Sequence, residues 1–449
     1  MPIGPHIGTN ALGSLHFFGR IWIQRSLWLS PHPLSQPMQT STSHHPHSTG
    51  PLSGLKVIEL GQLIAGPFAA KTLADFGAEV LKIESPKSGD PLRVWRVLHE
   101  GTSLWWQVQS RNKKSLGLDL RQKEGQDIVR ELLKSADVLI ENFRPGTLES
   151  WGMGPEDLFN INPRLIVLRI SGYGQTGPYK DKPGFGVIAE AMGGMRHLTA
   201  EPGRVPVRVG ISIGDTLAAL HGVIGILMSL HERERSGKGQ VIDVALYEAV
   251  FNCMESLLPE YSVKGIVREA AGSALPGIAP TNAYRCKDDS YALIAGNGDS
   301  IYKRLMHAIG RDDLGLDPEL SDNKGRVRRV HEIDEAISNW SSQLGVDDVL
   351  AVLDQAEVPA GKIYNVADIA SDPHYIDRGM IEKLTLKDGT QVDVPGIVPK
   401  LSRTPGFRPQ LAPELGEDTH ETLKSIGLSE EQIKALLDKG IISMPTGSQ

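Results

Sequence analysis

The chain has 449 residues with 47 basic and 54 acidic side chains, and its formal charge of -7 offers no field for a polyanion, which argues against a nucleic-acid binder. Its 40% hydrophobic and 22% charged fractions exclude disorder and collagen, and the length allows roughly two or three domains. Two cysteines, Cys253 and Cys286, cannot supply a disulfide framework, so packing must hold the fold and a reducing compartment is permitted.

No Asp or Glu occurs before Glu59, whereas Arg20, Arg25 and Lys56 are cationic. Without those three cations the chain carries 44 basic against 54 acidic groups, a balance of -10. Residues 10–30 mix Leu, Phe, Ile and Trp with Arg20, Arg25 and Ser in the manner of an organelle presequence, and residues 31–54 have the Pro/Ser/Thr/His composition of a linker. The expectation is a disordered targeting leader and linker over 1–52 and a mitochondrial protein; an untargeted tail on a cytoplasmic protein is the alternative. The final Thr-Gly-Ser-Gln is not a peroxisomal tripeptide.

From Leu55 the pattern predicts a βαβ unit, with strand 55–60, turn Gly61–Pro67, helix 68–76 and strand 79–83. A strand at 116–120, helix 125–135, strand 138–140, helix 155–160 and strand 165–170 follow. This alternation predicts an α/β protein with a Rossmann-like parallel sheet, whose ligands lie beyond the carboxyl ends of the strands. The turn Gly61–Pro67 lacks the G-x-G-x-x-G spacing, so a dinucleotide is not expected. Between Val205 and Ile213 every odd residue is Val or Ile and the even ones are Pro206, Arg208, Gly210 and Ser212, which predicts a strand with one packed and one nearly bare face. A buried helix over 217–231, too short for a bilayer, leads to a strand at 240–244 and a helix at 247–255. A hairpin at 283–295 and helices near 301–309 and 332–343 predict a smaller α+β domain. A strand pair at 382–394 and a helix at 430–439 close the chain. The expected division is a large domain from 53–255 and 380–449 with a small domain, 272–373, inserted.

Asp215 is the sharpest chemical candidate, because a carboxylate in the first turn of a helix is favoured as an anion and can attack an activated acyl group. The same position suits a simple helix cap. Gly296-Asn297-Gly298 follows the apolar strand 291–295 and could cover a reactive intermediate or be an ordinary turn. Asn142, Phe143 and Arg144 stand after a predicted strand, where they could meet phosphate and base. No HExxH, paired CxxC or Gly-x-Ser-x-Gly occurs, so no metal site and no serine hydrolase are expected.

Taken in order, Val57-Ile58-Glu59-Leu60 with Ala65-Gly66-Pro67, Gly77 to Glu84, Asn112-Lys113-Lys114-Ser115, Glu141 to Gly146, Gly172 to Pro178 and Gly214-Asp215 resemble the class III CoA-transferase (CaiB/BaiF) family. The resemblance implies an enzyme that moves CoA from an acyl-CoA donor to a free carboxylic acid, with the CoA thioester as substrate and no tightly bound cofactor. It implies Asp215 as nucleophile, Gly296, Asn297 and Gly298 as a covering loop, and Leu118, Arg121, Asn142, Phe143, Arg144, Lys182 and Phe185 as CoA contacts. It also implies an interlocked homodimer of ring-like subunits and no membrane partner. The branch that uses succinyl-CoA and glutarate or hydroxymethylglutarate is the expected one. Many members carry an acid where this chain has Gly186, and the related α-methylacyl-CoA racemases have His and Asp in place of Phe185 and Gly186. Neither is present here, so α-proton exchange lacks its expected His base, and a racemase stands as the runner-up; the missing acid at Gly186 leaves a non-catalytic acyl-CoA-binding protein as the other alternative.

Overall fold

The computed structural model describes residues 50–445, and the expected leader up to residue 49 lies outside them. β1 (Lys56–Glu59), α1 (Ala65–Asp75) and β2 (Glu79–Glu84) form the first βαβ unit. It continues through β3 (Lys113–Leu118), α2 (Lys123–Leu133), β4 (Val138–Glu141), α3 (Pro155–Ile161) and β5 (Ile166–Ser171). Then come α4 (Gly186–Met192), α5 (Ile213–Ser236), β6 (Val241–Ala245) and α6 (Leu246–Phe251). The second half holds β7 (Thr281–Arg285), β8 (Tyr291–Ala295), α7 (Asp299–Ala308), α8 (Asn323–Arg328), α9 (Val330–Ser341), α10 (Val346–Gln355) and β9 (Ala360–Lys362). The hairpin β10 (Ile381–Thr385) and β11 (Gln391–Pro395), α11 (Glu430–Asp438) and β12 (Ile442–Ser443) complete it.

The main sheet has the order β12-β3-β2-β1-β4-β5-β6, parallel except for β12, which runs antiparallel to β3. β4 and β5, buried along their whole length, read as nearly continuous apolar runs because both faces are covered. Along β1, Val57 joins the core beneath α1 and α5, while Ile58 joins the core beneath α2, α3 and α11. β7, β8 and β9 make a separate antiparallel sheet whose own core includes Tyr302, Leu305, Ile333, Ile337 and Leu353.

Two expectations are corrected. The predicted strand over 205–213 does not form: residues 205–212 join no sheet, and Val205, Val207, Val209 and Ile211 are exposed. Alternation alone does not make a strand when no neighbouring strand offers a ladder. The helix expected over 217–231 instead spans 24 residues, long and apolar enough by length and composition to cross a membrane. In the fold it lies on the sheet, with Ala218, Ala219, Val223 and Ile226 in the core. Gly222 and Gly225 allow that approach: a β-carbon at either would come within 2.7 Å of Leu168 or 2.8 Å of Ile242.

Candidate active site

β1 and β4 are neighbours, but the chain leaves β1 towards β2 on one side and later continues from β4 to β5 on the other. Such a reversal opens a crevice at the carboxyl ends of the strands, and two turns meet across it. Gln62 donates its amide to Asn142 Oδ1 at 2.8 Å, and Asn142 Nδ2 donates to the Gln62 carbonyl at 2.8 Å. The next residue, Leu63, has φ of 63°. Its amide is held at 3.1 Å from both carboxylate oxygens of Asp90, which offsets the strain of a left-handed backbone at a branched residue.

A buried ion cluster supports this turn. Lys82 Nζ donates to Glu59 Oε1 at 2.8 Å and to the Gly61 carbonyl at 2.7 Å, and lies 2.9 Å from Asp90 Oδ2. Lys113 Nζ lies 2.8 Å from Glu59 Oε2 and donates to the Pro67 carbonyl at 2.8 Å. Burial pulls Lys113 down to about 8 against the attraction of Glu59. For Lys82 burial acts in the same sense, but Glu59 and Asp90 outweigh it and hold the ammonium charged. The start, middle and end of the Gly61–Pro67 turn are thus tied to charges that cannot be removed singly without leaving another buried and unpaired.

Above the turn is a cleft of about 190 Å³ bordered by Gln62, Leu63, Ile64, Ala65, Asn142, Phe143, Gly172, Gly184, Phe185, Asp215 and Leu246. Drug-sized ligands fill pockets of roughly 300 Å³ or more, so this space suits a reacting acyl group and not a whole nucleotide thioester. Asp215 reaches it from the first turn of α5, whose N-cap residue is Ser212, so the carboxylate is not the cap. Burial first, and then the charge of Glu190, push Asp215 up to about 6 despite the opposing field of Arg208. Arg208 is anchored by donation from Nη2 to Ser212 Oγ at 3.1 Å.

Gly186 is what lets Asp215 stand there. A β-carbon on residue 186 would lie 2.1 Å from Asp215 Oδ2, so an acidic side chain at 186 does not fit beside this placement of Asp215. A carboxylate is present one helical turn on, at Glu190, which is completely buried. Sequence reasoning passed over Glu190, although a single acid within the apolar run Val187–Met192 is a readable sign of a buried charge.

The other expected site residues are divided. Asn142, Phe143 and Phe185 border the cleft with Asp215. Phe143 also packs edge-on against Trp151, with ring centroids 5.4 Å apart. Arg144 and Arg121 follow the carboxyl ends of β4 and β3 and are exposed, Arg121 in a 2.8 Å ion pair with Asp119. Lys182 is exposed with its ammonium 3.6 Å from the centre of the Tyr179 ring. The Leu118 side chain is buried in the sheet core, and its main chain pairs with Ile442 of β12. Gly296, Asn297 and Gly298 do not border this cleft. They are fixed by the buried Arg326, which donates to the Asn297 carbonyl at 2.9 Å and to Asp299 Oδ1 at 2.7 Å. Among the described residues no group of His, Cys, Asp and Glu gathers as a metal site.

The sequence profile of CoA-transferase family III matches residues 52–419. Succinyl-CoA–D-citramalate CoA-transferase of Chloroflexus aurantiacus is 46% identical over 394 residues, covering 87% of this chain and 98% of its own. Succinate–glutarate CoA-transferase of Agrobacterium fabrum is 34% identical over 390 residues, 85% of this chain and 97% of its own. The expected kinship with the glutarate branch is therefore corrected, since a citramalate transferase is more similar. The crystal structure of a CaiB/BaiF family protein from Brucella suis superposes with a TM-score of 0.75 at 35% identity, covering 84% of this chain and all of that one.

Proposed function

The chain belongs to the class III CoA-transferase family, and we propose that it moves CoA from succinyl-CoA to a hydroxylated dicarboxylic acid of the citramalate kind, with Asp215 as nucleophile. The observation that carries the assignment is the single half-buried carboxylate facing the cleft at the switch point of the sheet, held there by the absence of a side chain at Gly186. The identity of the citramalate relative supports the donor and the acceptor.

The chemistry follows from a carboxylate in that position. An Asp215 oxygen attacks the thioester carbon of the donor, the C–S bond breaks, and an aspartyl–succinyl anhydride and CoA thiolate result. Thiolate attacks the aspartyl carbonyl, releasing succinate and leaving CoA on Asp215 as a thioester. The acceptor carboxylate displaces that thiolate to form a second anhydride, and thiolate attack on the acceptor's acyl carbon frees product acyl-CoA and restores Asp215. Each intermediate remains activated, which a hydroxyl ester would not. Arg121, Arg144 and Lys182, on loops at the carboxyl edge, are proposed to meet the CoA phosphates, and Gly296–Gly298 to exclude water. The active form is proposed to be a homodimer, in keeping with the apolar side chains left exposed on α5 and the segment before it.

The test offers succinyl-CoA with citramalate, malate, glutarate, oxalate and no acid, and follows the acyl-CoA products by mass. Citramalate is expected to be the best acceptor, and Asp215→Asn to lower exchange at least a thousandfold with every acid. An Asp215→Asn enzyme that keeps its rate sinks the mechanism, and a preference for oxalate or glutarate sinks the acceptor assignment.

A further inference from the structure

The first turns of α4 and α5 are in backbone contact: a β-carbon at Gly214 would come within 3.0 Å of the Gly186 carbonyl and 3.4 Å of Glu190 Cγ. That contact brings two carboxylates, Asp215 and Glu190, to one place. Glu190 is wholly inaccessible, its Oε2 accepts from Arg196 Nε at 3.1 Å, and its Oε1 has no hydrogen-bond partner. A buried anion half-satisfied by one cation is costly and is retained only where something offsets the cost. As a structural partner of Arg196 alone, a glutamine would accept the same bond without the charge.

We infer that Glu190 is a positioning residue of the transfer reaction, a fixed buried charge that raises the energy of the ionised Asp215 and is relieved when Asp215 becomes acylated. This rests on the proposed role of Asp215. Arg196 pairs with Glu190, and Arg208 acts on Asp215 from the preceding segment. The neighbouring Leu246 and Val250 of α6 and the turn residues Gln62–Ala65 and Asn142 bring no charge. As the Asp215 oxygen bonds to the thioester carbon, negative charge leaves that oxygen for the thioester oxygen and then for the departing sulfur. The repulsion therefore falls along the reaction, so it destabilises the ground state more than the transition state. No proton is moved by Glu190, and it touches neither substrate.

The sign of the pH effect follows. Asp215 attacks only when ionised, so kcat/KM for succinyl-CoA should rise with pH through about 6. Removing the charge with Glu190→Gln keeps the acceptor for Arg196 and should move this acid limb down by about one pH unit, while the plateau above pH 7 falls by roughly tenfold. Burial still holds Asp215 above the ordinary carboxylate range in that variant. Arg196→Gln removes the cation paired with Glu190 and should displace the limb too. The two variants are measured beside wild type from pH 4.5 to 8.5, with melting curves to establish folding, and Arg196→Gln carries the test by itself should Glu190→Gln not fold. A downward shift in Glu190→Gln and a displaced limb in Arg196→Gln support the inference, and limbs that stay at the wild-type pH overturn it, whatever happens to the plateau. Hydroxylamine capture of the acyl-enzyme in wild type separates the two levels: unmoved limbs in an enzyme captured at Asp215 sink the role of Glu190 alone, whereas capture elsewhere sinks the proposed function.

Discussion

Asp215 owes its placement to a glycine four residues before the buried Glu190. A methyl group at 186 would come 2.1 Å from Asp215 Oδ2, and the atom that must yield is the free end of a side chain, not backbone. Gly186→Ala should consequently leave the melting temperature unchanged or slightly higher, since alanine favours the first turn of α4 by up to about 1 kcal/mol. It should lower kcat by roughly a hundredfold, because a nucleophile displaced by about 1 Å loses that much. A fall in stability with activity retained would show that Asp215 does not need this rotamer. Asp215 was legible in the sequence because Gly214-Asp215 opens an apolar helix. Glu190 was overlooked because its meaning lies in contact with α5, 25 positions downstream, and no local pattern encodes that contact. The Gly186 departure was visible as a missing acid, but its steric reason required the structure.

The βαβ succession was legible because strands covered on both faces read as apolar runs and α2 has a clear amphipathic period. Two elements misled the reading for one reason: sequence shows which residues are apolar and not what covers them. Val205, Val207, Val209 and Ile211 alternate like a half-buried strand yet are exposed, as are Ile224, Leu227 and Met228 on the outer side of α5. An apolar surface of this extent on a single chain is characteristic of an interface. Sedimentation equilibrium at micromolar concentration should give the mass of two chains, and Leu227→Glu should shift the equilibrium towards one. A wild-type monomer across that range would contradict the proposed homodimer. The Gly61–Pro67 turn was legible only as a turn, since its shape comes from Lys82, Lys113 and Asp90, charges brought from three separate segments.

Across the whole molecule, the main sheet is assembled from residues 56–245 and closed at one edge by Ile442–Ser443, so both ends of the described chain contribute to that sheet. The formal charge of -7 conceals how the cations are distributed. Buried lysines are consumed by Glu59 and Asp90, while the exposed Arg121, Arg144 and Lys182 lie on loops around the carboxyl edge. If acyl transfer passes through Asp215 as proposed, chemical capture will find the acyl group there. Enzyme incubated with succinyl-CoA without acceptor and quenched with hydroxylamine should carry a hydroxamate on the peptide containing Asp215, dependent on succinyl-CoA. A turning-over enzyme with no such label, or with the label on another residue, would exclude Asp215 as the acyl carrier.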